Sequence, residues 1–148
     1  MKTKSSTLLA MFFCLGTLPV FSQQTKPSLF NAYPSSIPVS KDILEQAFSA
    51  SIGGNISIPF STNFVYAGTV VSNIRKYDNL QSVLVKSPAF GNALLQLSKV
   101  TKADNSFYFT GRIINNDTAD GYELKVDNNG AYRLQKTQMN MVFQECSF

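Results

Sequence analysis

From Asn55 onward the chain is a succession of short runs rich in β-branched and aromatic residues, separated by Gly, Pro, Asn and Asp. The runs fall at 55–60, 64–75, 80–87, 93–101, 106–115, 121–127 and 131–137. Parallel neighbours need a crossover of about a dozen residues or more, and the gaps between these runs are far shorter. The spacing therefore predicts an antiparallel sheet of six or seven strands.

Alternation within the runs assigns one face to the core. Phe64, Tyr66, Val70 and Ile74 share that face, as do Val83, Val85, Leu95, Leu97, Phe107, Phe109 and Ile113. In the last hairpin Tyr122, Leu124 and Val126 are expected opposite Tyr132 and Leu134, with Glu123, Lys125, Arg133 and Gln135 outward. One helix is predicted, over 41–51: Ser40 is a capping residue, Asp42 sits in the first turn, and Ile43, Leu44, Ala47 and Phe48 make one apolar stripe. Gly53 and Gly54 stop it. A single helix covers one side of a sheet, so two architectures fit: an α+β fold with the helix packed on a curved antiparallel sheet, and a small barrel-like sheet closed on its own side chains. The curved α+β sheet is the favoured expectation.

The amino terminus reads as a signal peptide. Lys2 and Lys4 precede an apolar run from Leu8 to Phe21, and Val20 and Ser22 fit cleavage after Ser22. Gly16 and Pro19 interrupt a run already short for a membrane span, so no transmembrane segment is expected after cleavage. The organisation expected is a signal at 1–22, an extended lead-in at 23–39 carrying Pro27, Pro34 and Pro38, and a single α+β domain at 40–148. Phe30 and Tyr33 are candidates to pin the lead-in to the body. Export to the periplasm or the medium follows.

Cleavage would remove Cys14 and leave Cys146, which excludes an intramolecular disulfide and leaves a free thiol or an intermolecular partner. Eleven Lys and Arg would then face nine carboxylates, a net charge of +2, with the cations scattered. Nucleic acid is not an expected partner. The chain has no His, which removes Ser-His-Asp and Cys-His catalysis in their usual forms and the commonest zinc sites. No catalytic residue, cofactor or metal ligand is assigned.

The polar stretch at 111–130 is the remaining candidate for chemistry. Asp127, Asn128, Asn129 and Gly130 suit a tight hairpin turn. Asn115, Asn116, Asp117 and Asp120 offer oxygens to a cation, yet Ala119, Gly121 and Glu123 fall at the wrong places for a calcium loop. A carboxylate pair drawn from Asp117, Asp120 and Glu123 has no spacing that fixes it across a sugar. Tyr108, Arg112, Asp117, Asp120, Tyr122 and Arg133 make up a search region for a ligand surface. Thr118, in Asp117-Thr118-Ala119, is a candidate O-glycosylation acceptor on a surface loop.

Phe21-Ser22-Gln23-Gln24 followed by "ALLQLSKV", "YFTGRIIN" and "DGYELKVDNNGAYRLQK" resembles small exported proteins of unknown function from Bacteroidota. More faintly, the pattern is similar to propeptide modules of secreted peptidases. The resemblance implies export and an α+β body and supplies no catalytic residues. Three readings stand: an exported noncatalytic binding or interaction module, propeptide-like or inhibitor-like, working through a sheet edge or loops with a protein or glycan partner; a small carbohydrate-binding or carbohydrate-active protein; and a structural envelope component.

Overall fold

The computed structural model describes residues 26–139. The expected signal segment and both cysteines lie outside the described residues. Within them the elements run β1 (Ser36–Val39), α1 (Lys41–Phe48), β2 (Asn55–Ser61), β3 (Phe64–Tyr77), β4 (Leu80–Ser87), a 3-10 turn (Pro88–Phe90), β5 (Ala93–Thr101), β6 (Phe107–Ile114), β7 (Asp120–Val126) and β8 (Tyr132–Gln138).

All eight strands belong to one antiparallel sheet in the order β1-β8-β7-β6-β5-β4-β3-β2. Its two outermost strands, β1 and β2, lie alongside each other without forming a ladder, so the sheet curls into a nearly closed barrel. This overturns the favoured α+β expectation of a helix packed on a curved sheet of six or seven strands, and the barrel-like alternative fits. The physical reason is the aromatic content of the inward face. Rings from strands, turns and lead-in meet one another, so the sheet covers its own core and α1 closes only a gap.

The strand missed in the sequence is β1. Pro38 removes one ladder donor there, a loss tolerated in an edge strand. Ile37 and Val39 nevertheless alternate inward, and β1 pairs with β8 through four residues from Ser36↔Gln135 to Val39↔Tyr132. Proline also interrupts β2, at Pro59, where the β2–β3 register shifts. Both unpaired edges thus carry a residue that discourages the addition of a further strand.

Two inward assignments fail for local reasons. Between Val70 and Ser72 the β3–β4 register shifts by a bulge, and one inserted residue inverts the parity of everything after it. Asn73 consequently turns inward, whereas Ile74 is 50% exposed. Val126 ends its strand and is 52% exposed.

Different devices close the two ends of the barrel. At one end, α1 inserts Leu44, Ala47 and Phe48, with Phe48 stacked on Phe109 at 5.7 Å. The side chain of Ser40 accepts the Ile43 amide at the helix start. Past its last turn, the Asn73 amide donates to the carbonyls of Phe48 and Ala50 at 2.9 and 2.8 Å. At the other end the lead-in folds over the opening. Phe30 is fully buried and meets Phe64, Phe90 and Tyr122 with centroid distances of 5.2–6.2 Å. Burying a ring of this size contributes about 1.5–3 kcal/mol.

Candidate functional site

The conspicuous carboxylate of the polar stretch is structural. Asp120 is 1% exposed and faces the lead-in, where it accepts the Leu29 amide at 2.7 Å, the Phe30 amide at 2.9 Å and the Ser28 hydroxyl. Charge-assisted bonds to backbone amides are the strong class of hydrogen bond, which explains how a carboxylate can sit at this depth. Around it, Ala119 donates to the Pro27 carbonyl, Lys136 donates to the carbonyls of Phe30 and Tyr33, and the Tyr122 hydroxyl donates to the Pro34 carbonyl at 2.6 Å. Burial, followed by the neighbouring Asp120 and Tyr33 charges, pushes the Tyr122 phenol up to about 12.

Two more candidates serve the same local scaffold. Asn115 donates its amide to the Gly91 carbonyl at 2.9 Å and accepts the Asp117 amide at 2.9 Å. Thr118 is 6% exposed, its hydroxyl directed at the carbonyls of Asn115 and Asp120. The oxygens that suggested a cation loop are therefore already engaged, and no cluster of three or more Asp, Glu, His and Cys could hold a metal ion among the described residues. The 127–130 segment is a turn: Asp127 accepts the amides of Asn129 and Ala131, and Gly130 has φ +76°.

The search region accordingly splits. Asp120 and Tyr122 point inside, whereas Tyr108, Arg112, Asp117 and Arg133 stay at or near the surface. Arg133 lies 3.9 Å from Asp127 and donates to the Ser36 hydroxyl, away from Arg112. Asp120 and Glu123 do not converge, because Asp120 is turned inward and Glu123, three residues along the same strand, is turned outward next to Lys125 at 2.7 Å.

What the fold does assemble is a polar face on the outside of β5 to β8, with its rows continuing onto β4. Register places Ser82, Ser98 and Thr110 in one cross-strand row and Leu84, Gln96, Arg112 and Glu123 in the next. Within these rows Ser82 and Ser98 share a hydroxyl–hydroxyl bond of 2.9 Å, and the Arg112 Nε donates to the Gln96 Oε1 at 3.1 Å. Tyr108, 37% exposed, is outward one position beyond Thr110 in the alternation, with the Lys102 ammonium 5.6 Å from its ring centre. β6 and β7 pair only at Arg112↔Glu123 and Ile113↔Tyr122, so the ladder opens beyond them, and the Phe109 amide donates instead to the Tyr132 hydroxyl at 3.0 Å. A groove of about 660 Å³ lies over this opening, lined by Gln96, Ser98, Thr110, Arg112, Glu123 and Thr137 among others. Of these only Arg112 and Glu123 stand out in the sequence. The others occupy alternate positions of predicted strands, a signal that marks them as outward without saying that they meet.

No protein-family model matches the chain, and neither the curated proteins nor the solved structures provide a match. No helix among the described residues is long and apolar enough to cross a membrane.

Proposed function

We propose that the protein is an exported, noncatalytic binding module that engages its partner through the outer face of β5 to β8. One observation carries this reading: the inward face is occupied by the chain's own rings, and the convergent polar side chains lie outside, around the groove at Arg112. A sheet edge is the weaker surface, since β1 and β2 face one another and contain Pro38 and Pro59. An enzyme built on Asp117, Asp120 and Glu123 is disfavoured because Asp120 is buried against the lead-in and Glu123 faces the opposite side of the sheet.

The test is affinity capture with the full chain, expressed with its own leader, against the envelope and medium of the native culture. Retention of a specific component should be lost on Arg112→Ala and kept on Arg133→Ala, an exposed cation outside the groove. Equal retention by both variants would remove the face from consideration.

A further inference from the structure

Resting on that reading, we infer that the groove around Arg112 takes a short acidic oligosaccharide, one whose sugars carry carboxylates. Three observations converge on this class. The first is charge. Arg112 lines the groove and Lys102 stands beside this face at Tyr108, whereas Glu123, opposite Arg112 in register, is paired with Lys125 and the Asp104 carboxylate is held within its own turn by Ser106. Among the described residues no carboxylate lies within ion-pair distance of Arg112. With Nε on Gln96, the fork of its remaining N–H groups is oriented yet without an anion. A planar guanidinium in that state is suited to receive a carboxylate through two parallel bonds.

The second observation is the lining. Ser98, Thr110 and Thr137 each both donate and accept, and Gln96 adds an amide. A polyhydroxylated chain needs such paired capacity, and a greasy ligand would gain nothing from it. The third is extent. Tyr108 and Arg112 are four residues apart on one strand and both outward, which separates them by about 13 Å at the usual strand rise. A short oligosaccharide spans that distance, with one sugar face against the Tyr108 ring and a carboxylate at Arg112, and a monosaccharide does not. The groove volume of about 660 Å³ is in keeping with a ligand of that size.

Calorimetric titration of the full chain, expressed with its own leader, tests this with two probes: tetragalacturonate and the neutral cellotetraose. Expected are saturable binding of tetragalacturonate, affinity at least tenfold weaker for cellotetraose, a loss of at least tenfold on Arg112→Ala, a smaller loss on Arg112→Lys, and weakening as salt is raised. Tyr108→Ala supplies a second variant, expected to weaken both saccharides. Equal affinity for the two probes, no binding of either, or indifference to Arg112→Ala and Tyr108→Ala would overturn the inference. If neither saccharide binds while Arg112-dependent capture of another component persists, the ligand class falls and the binding-module reading stands. If capture is also indifferent to Arg112, both fall.

Discussion

The Asp120 carboxylate accepts the backbone amide of Phe30 at 2.9 Å, tying together residues ninety positions apart. With the Leu29 amide and the Ser28 hydroxyl on the same group, this one side chain fastens the lead-in across the barrel end and holds the Phe30 ring against Phe64 and Tyr122. The lead-in is therefore part of the core.

Asp120→Asn should lower stability by on the order of 3 kcal/mol, because the amide keeps one acceptor and turns an N–H₂ group toward existing donors. The urea midpoint should fall, and chymotrypsin should cut after the buried Phe30, in the Phe30-Asn31 bond, faster than in the parent chain. Ligand capture at the outer face should persist at temperatures where the variant is folded. An unchanged midpoint would show that the carboxylate is not the fastening.

Alkaline pH should loosen the same end. The Tyr122 phenol rises from 10.0 to about 12 in the folded chain, mainly through burial. Between those values the unfolded chain has lost the proton and the folded chain has kept it, so stability is full below pH 10 and declines as pH climbs toward 12. Tyr122→Phe removes this proton and the bond to Pro34, costing about 1 kcal/mol at neutral pH. Its stability should then fall less steeply than the parent's across the window, measured by urea titrations at each pH.

Strand positions were legible because their alternation is local chemistry, and runs such as 80–87 and 93–101 coincide with β4 and β5. Barrel closure was not legible, since it depends on rings such as Phe30 and Phe90, outside the strands, filling the interior that α1 alone could not cover. The bulge after Val70 leaves no mark in composition, so alternation alone puts Ile74 on the wrong face. The groove posed a different difficulty. Outward positions follow from alternation, but which of them share a row depends on register, as with Gln96 opposite Arg112. Asp120 looked like chemistry because its partners lie some ninety residues away in a proline-rich segment that gives no sign of where it docks.

Gly121 permits the close approach of β7 to β6. A Cβ there would stand 2.4 Å from the Ile113 carbonyl oxygen and 2.8 Å from the Met139 sulfur. Gly121→Ala should destabilise by about 2–3 kcal/mol, at the upper end of overpacking costs, because the nearer obstacle is backbone. Adding Met139→Ala should not restore the thermal midpoint. Recovery in the double variant would assign the crowding to the flexible side chain.

Asn73 completes the helix end from another element, donating to the Phe48 and Ala50 carbonyls while its Oδ1 accepts from Gln81 at 2.9 Å. Asn73→Ala should cost about 1–2 kcal/mol, because the Ala50 carbonyl loses its side-chain donor while the Phe48 carbonyl keeps only the longer bond from Gln81 at 3.3 Å. Asn73→Asp should cost more, on the order of 3 kcal/mol, because it sets a negative charge against two carbonyls at the negative end of the helix dipole. The two variants should also differ in their response to acid. Protonation of the introduced carboxyl removes its charge and returns one donor, so the deficit of Asn73→Asp should shrink as pH falls while that of Asn73→Ala stays fixed. Urea midpoints at neutral and mildly acidic pH measure the difference, and parallel behaviour of the two variants would mean that the Asn73 amide does not cap the helix.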